Sequence, residues 1–185
     1  MRHEKILLFG TCEYELIGLN YFLSGGGYSV ENYTGDSFQY IDCDVFIVAL
    51  SSEPVMKWGR FFSLLYTLSC DFTGRIILLV PERIGMLNIF PGIDRIVTGK
   101  ACKDKILSTV NDLLCDEKDK YLRNIKYLFS PLEWKYLKGL EKNYILYKGG
   151  YYYSRSSIVN KMGVDNMNVV NLIGIKYILD YFSKM

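Results

Sequence analysis

Residues 44–50, Asp-Val-Phe-Ile-Val-Ala-Leu, place six apolar side chains in an unbroken row. A strand with one wet face alternates polar and apolar residues. A continuous β-branched and aromatic row fits a strand covered on both faces, as in a parallel sheet between helical layers. Neighbouring segments have the same character. Lys5-Ile-Leu-Leu-Phe9 ends at Gly10-Thr11 and reads as a buried strand entering a turn, and Ser29–Tyr33 reads as a short alternating strand. Arg75–Val80 is a third buried row, stopped by Pro81, and Ile93–Val97 is a weaker one. Between them, Tyr14–Leu23, Lys57–Leu68 and Lys103–Leu114 have helical spacing, and Ser24-Gly25-Gly26-Gly27 closes the first. Strands alternating with helices predict an α/β fold with a doubly wound parallel sheet over residues 1–115.

The pattern changes after Cys115. Residues 116–129 open with Asp116-Glu-Lys-Asp-Lys-Tyr-Leu-Arg123 and read as a charged linker, leaving residues 130–185 as a small, mostly helical domain. Ser130-Pro131-Leu132-Glu133 is a helix start: Ser caps, Pro takes the first helical position, and Glu three residues on completes a capping box. That helix is expected to reach about Asn143. Tyr144-Ile-Leu-Tyr147, then Lys148-Gly149-Gly150, then Tyr151-Tyr-Tyr153 predict an aromatic β-hairpin around a glycine turn. Ser154–Lys161 can form a short helix broken by Gly163, and Asp165 or Asn166 can cap a last helix reaching Phe182.

Charge divides along the same line. Residues 1–115 hold 10 Lys/Arg against 13 Asp/Glu, net −3, whereas residues 116–185 hold 12 against 7, net +5. A basic second half is compatible with an anionic partner such as nucleic acid, or simply with a solvated basic face. The five cysteines, Cys12, Cys43, Cys70, Cys102 and Cys115, are odd in number and include no C-x-x-C pair, so no disulfide framework or zinc knuckle is expected. His3 is the only histidine, which removes the usual general base and the commonest nitrogen ligand. The expectation is a cytoplasmic protein that is not an enzyme and carries no cofactor, no metal and no membrane span.

Ser130-Pro131, Glu133 and Leu137, then Ile158-Val-Asn-Lys161-Met162-Gly163-Val164, then Asn168-Val169 and Tyr177 resemble, in order, the first helix, the scaffold helix with its turn, and the recognition helix of LuxR/NarL-type DNA-binding domains. The resemblance covers roughly residues 130–182. It departs from the family in its additional aromatic hairpin and in an absent fourth helix. The first strand, Gly18-Leu19-Asn-Tyr-Phe-Leu23 and Asp44-Val-Phe-Ile-Val48 resemble a response-regulator receiver domain over residues 4–115. Its chemistry is missing. Gly10 and Thr11 stand where a receiver carries magnesium-binding acids, and Ala49 stands where the phosphoacceptor aspartate belongs. The whole chain thus resembles the atypical, RcsA/GadE-like group of LuxR/NarL regulators, with a pseudo-receiver and a degenerate helix-turn-helix domain.

The resemblance implies double-stranded DNA as a partner, with a response-regulator protein or a second copy of the chain as the other. Asn168 and Asn171 are the expected base readers, and Lys148, Arg155, Lys161 and Lys176 the phosphate contacts. Val170 and Ile175 are apolar at presumed outer positions and weaken direct readout. Leu16, Leu19, Ile106, Val110 and Leu113 are the expected protein interface. The alternative reading is a protein-binding modulator of a response regulator whose helix-turn-helix domain no longer binds DNA. Ser51-Ser52-Glu53-Pro54 follows a strand end, where α/β sheets bind ligands, but reads more readily as a polar loop.

Overall fold

The apolar row at residues 45–49 is the middle strand of a five-stranded parallel sheet of order β2-β1-β3-β4-β5. The structure, a computed structural model, describes residues 4–35, 38, 41–87, 89–90, 92–116, 128–142 and 150–183. The strands are β1 Lys5–Gly10, β2 Ser29–Asn32, β3 Val45–Ala49, β4 Arg75–Val80 and β5 Arg95–Thr98. Every residue of β3 is buried, which is why its sequence shows no alternation. Register pairs Gly10 with Ala49 between β1 and β3, and Ala49 with Leu79 between β3 and β4. This strand order is the flavodoxin-like one, so the expected doubly wound sheet is the observed one.

One face of the sheet is covered by α1 Glu13–Gly25 and α3 Lys103–Cys115. Leu19 and Leu23 of α1 and Ile106, Val110 and Leu113 of α3 share a core with Ile6, Leu8, Val45, Ile47, Ile77 and Leu79. On the other face, Phe46 packs its ring against Tyr33 and Phe72 with centroids 5.4 and 5.6 Å apart. The helical spacing at 57–68 resolves into a 3-10 turn, Trp58–Phe61, followed by α2 Phe62–Asp71. Only a short 3-10 turn, Glu82–Ile84, is formed among the described residues between β4 and β5.

Beyond α3 come α4 Pro131–Glu141, α5 Gly150–Met162, α6 Met167–Ile173 and α7 Ile175–Ser183. Two sequence expectations are corrected. Tyr151–Tyr153 lie in α5 rather than in a hairpin strand, because Ser154, Ile158 and Met162 form a buried i, i+4, i+8 row that selects the helical period. The other expected hairpin strand, 144–147, lies outside the described residues, as does Lys148. The last helix is two helices: Gly174, at φ 104, breaks it, so a fourth helix is present after all.

The chain forms two compact units. The first comprises Met1–Glu53, Thr67–Glu82 and Gly92–Tyr121, and the second Pro54–Tyr66, Arg83–Pro91 and Leu122–Met185. Two segments from the first half of the sequence therefore belong to the helical unit. They complete its core with an aromatic cluster in which Phe62 meets Phe90 at 5.2 Å and Tyr181 at 5.4 Å. Among the described residues, no helix is long and apolar enough to cross a membrane.

Candidate functional site

At the C-terminal ends of β1 and β3, the chain fills the space with its own groups. Gly10 lies so close to β3 that a Cβ there would stand 2.6 Å from the Ala49 carbonyl oxygen, and Ala49 itself is fully buried. The Thr11 hydroxyl donates to the Glu53 carboxylate. Glu15, in the first turn of α1, accepts the Ser51 N–H at 3.3 Å, the Ser51 hydroxyl, and the Ser52 N–H at 3.2 Å. A Cβ on Gly99 would meet the Ser51 Oγ at 2.5 Å. Lys100 is paired with Glu82 at 2.5 Å. The loop that follows β3 is thus closed by an internal carboxylate, the role expected of an anion at a nest of main-chain N–H groups. Sequence reasoning gave Glu15 no role. The available signal was an acid at the start of α1 combined with two serines just after a buried strand. Among the described residues, no group of three or more His, Cys, Asp or Glu side chains is arranged to hold a metal.

The capping box at the start of α4 forms as expected. Ser130 Oγ accepts the Glu133 N–H at 3.3 Å, and Glu133 accepts the Ser130 N–H at 2.5 Å. Glu133 then does more. Its carboxylate, almost fully buried, receives Lys161 Nζ from the end of α5 at 2.7 and 2.9 Å. Burial alone would raise the Glu133 pKa, but hydrogen bonds from Lys161, Ser157 and Ser130 overcome it and hold the carboxyl below its ordinary value. This corrects the reading of Lys161 as a phosphate contact: its ammonium is turned inward to neutralise a buried acid.

Asn166 caps α6, its side-chain oxygen accepting the Asn168 and Val169 N–H groups at 2.9 and 3.3 Å. Met167, Val169, Val170 and Ile173 are buried, while Asn168 and Asn171 are exposed one turn apart. Val170, placed outside by the sequence reading, is fully buried, and Ile175 is half-buried at the start of α7. Lys176 is exposed but belongs to α7, beyond the break, rather than to the middle of a recognition helix. Arg155 is exposed on α5. On the same helix Tyr152 and Tyr153 are 71% and 78% exposed, their rings edge-to-face at 6.1 Å.

The proposed protein interface is also corrected. Leu19, Ile106, Val110 and Leu113 are buried inside the α1–α3–sheet core, and Leu16 packs against it, because a leucine row at helical spacing is what covers a sheet. The apolar side chains that α1 leaves in solvent are Tyr14, Ile17 and Tyr21, 87%, 63% and 83% exposed.

No protein-family model matches the sequence, and no curated protein matches it. Solved structures do. The two-component response regulator RcsB, solved in a complex with DNA, is similar with a TM-score of 0.61 and 16% identity over 96% of this chain and 98% of that one. Full-length FixJ from B. japonicum is similar with a TM-score of 0.47 and 10% identity over all of both chains. A response regulator from Burkholderia pseudomallei, with a phosphorylated aspartic acid, calcium ion and citrate, reaches a TM-score of 0.43 and 17% identity over 87% and 93%. The likeness to RcsB shows the fold: a five-stranded parallel sheet of receiver type with a helical C-terminal part.

Proposed function

We propose that the chain is a DNA-binding transcription regulator of the LuxR/NarL kind that is not controlled by aspartyl phosphorylation. The observation that carries this reading is α6: capped by Asn166, buried on one side and offering Asn168 and Asn171 on the other, it has the division of labour that a groove-reading helix needs. The likeness in fold to RcsB, a protein solved with DNA, supports it. At the strand ends, Gly10 and Ala49 leave no acid, and Glu15 occupies the main-chain N–H groups of the β3 loop. An aspartyl phosphate at Ala49 has no acceptor carboxylate, and among the described residues no group of three or more acids, cysteines or histidines is arranged there to hold an ion. Anisotropy titrations of labelled genomic fragments, with wild-type protein and Asn168→Ala, test the reading. Specific binding lost in the variant supports it, and no binding by the wild type under low salt sinks it.

A partner or a second copy belongs to the same proposal. Reversing the α1 stripe exchanges Tyr14 with Tyr21 and Ile17 with Gly18, and Gly18 has open space where a Cβ would be. Two antiparallel copies of α1 can therefore set each Ile17 over the other's Gly18. The second reading, a protein-binding modulator that no longer binds DNA, is favoured by one observation: among the described residues, Lys161 is paired with Glu133, which leaves Arg155 and Lys176 as the exposed cations of those named.

A further inference from the structure

Main chain from the first half of the sequence holds the C-terminal end of α6 and lies against the turn that precedes it. A seven-residue helix is too short to be stable alone, and the break at Gly174 leaves its last carbonyls to find partners outside it. The Lys57 N–H supplies one, donating to the Leu172 carbonyl at 2.6 Å. Lys57 does so from a left-handed conformation, φ 63, the one positive φ among the described residues other than glycine. Two residues on, Gly59 touches the same end: a Cβ there would stand 2.8 Å from the Ile173 carbonyl oxygen and 2.7 Å from Tyr177 Cβ. At the other end, the turn before α6 rests on residue 86. A Cβ on Gly163 would stand 1.8 Å from the Met86 carbonyl oxygen. α7 is fastened in turn by Tyr181, whose buried hydroxyl donates to the Ile89 carbonyl at 3.2 Å and whose ring meets Phe90 at 5.6 Å. All these residues belong to one compact unit.

We infer that residues 54–66 and 83–91 are a positioning clamp for α6, so that the orientation of this helix is set from within the α/β half of the sequence and not by the C-terminal helices alone. Gly59, Gly163 and Tyr181 are its positioning residues. The geometry of the clamp is independent of the proposed DNA reading; its functional consequence, that changes in these two segments change DNA affinity, rests on that reading. The polar ties among these contacts, the Lys57 N–H on the Leu172 carbonyl and the Tyr181 hydroxyl on the Ile89 carbonyl, fix position more tightly than sliding apolar side chains would.

The test uses the full chain with Gly59→Ala, which forces a Cβ against α6 and α7, and Tyr181→Phe, which removes one hydroxyl and keeps the ring. Hydrogen exchange is followed at the amides of α6, α7 and the sheet, and DNA anisotropy is measured in parallel. The clamp predicts that α6 and α7 amides exchange about tenfold faster or more in Gly59→Ala, the scale of one lost buried polar contact. Tyr181→Phe should move them in the same direction by less, with β1, β3 and β4 amides unchanged in both. Unchanged α6 exchange in both variants, or an equal rise throughout the sheet, overturns it. If Gly59→Ala does not fold, Tyr181→Phe alone decides. Faster α6 exchange in a chain whose wild type binds no DNA supports the clamp and removes the DNA reading; reduced DNA affinity alongside it supports both.

Discussion

The Lys161 ammonium lies 2.7 Å from the Glu133 carboxylate, and the glutamate side chain is only 6% exposed. A cation that sequence alone places on a basic surface is thus an internal tie between the start of α4 and the end of α5. Because Lys161 keeps a third of its surface in water, removing it should cost less than breaking a fully buried pair, about 1–3 kcal/mol. Lys161→Met should lower the urea midpoint by a corresponding amount. The pH dependence has a defined sign. Glu133 has a lowered pKa in the folded protein, so its contribution is fully present above the unfolded carboxyl value of about 4.3 and is lost as pH falls through the lower folded value. Glu133→Gln should therefore differ most from wild type at neutral pH, and the gap should shrink in acid.

Acetyl phosphate with magnesium should leave the intact mass unchanged, since Gly10 and Ala49, not aspartates, stand at the C-terminal ends of β1 and β3. Restoring acids there should fail as well. Gly10→Asp drives a Cβ to within 2.6 Å of the Ala49 carbonyl oxygen, main chain that cannot swing aside. The expected outcome for Gly10→Asp with Ala49→Asp is a loss of about 2 kcal/mol or more of stability, without phosphorylation. Thermal melts and intact mass together check it.

Cysteine reactivity should separate by environment. Burial pushes the Cys43 thiol up to about 12, with Asp44 and Asp42 adding to it, so almost none is thiolate at neutral pH. Cys70, Cys102 and Cys115 are exposed. Iodoacetamide at pH 8 should label those three well before Cys43, and peptide mapping against time reads the order. Early labelling of Cys43 in folded protein would contradict the placement of this residue.

The sheet was legible because a strand buried on both faces leaves an unbroken apolar row, and Val45–Ala49 has no other comfortable home. The start of α4 was legible because a capping box is a local arrangement of Ser130, Pro131 and Glu133. What was not legible depends on distant neighbours. Tyr151–Tyr153 have strand-type side chains, yet the buried row Ser154, Ile158, Met162 decides in favour of helix. Gly174 sits inside a helical pattern that tolerates a glycine at a cost of about 1 kcal/mol, and its left-handed φ shows only in three dimensions. Ile106, Val110 and Leu113 read equally well as an interface or as a core; only the sheet beneath them settles it. The inward turn of Lys161 and the partnership of Glu15 with Ser51 and Ser52 link residues 28 and 36 or more apart, which no local pattern encodes.

Self-association should depend on α1. Ile17→Asp places a charge at the centre of the exposed stripe without touching the core, so the fold should survive while any dimer dissociates. Sedimentation velocity over a concentration series compares the two, and Leu107→Asp on the neighbouring α3, which packs against the core, serves as a contrast expected to destabilise the fold. Equal sedimentation of wild type and Ile17→Asp at every concentration would move the partner surface away from α1.

The inward turn of Lys161 also sharpens what DNA binding should look like. If α6 enters a groove, Arg155 and Lys176 are exposed and can neutralise phosphates. Replacing either by alanine should weaken binding to all duplexes alike and reduce the slope of log affinity against log salt by about one unit. Lys161→Met should behave differently: stability falls, but the salt slope stays at its wild-type value, because that ammonium releases no counterion from DNA. Asn168→Ala forms the third class. A base-reading asparagine should lose about 1–3 kcal/mol on the preferred site and little on random sequence, whereas an asparagine that merely solvates the helix start loses nothing on either. Anisotropy curves for these variants at several salt concentrations separate the classes. A Lys161 variant that lowers the slope, or an Asn168 variant indistinguishable from wild type on the preferred site, would remove α6 as the reading element and leave the protein-binding role ahead.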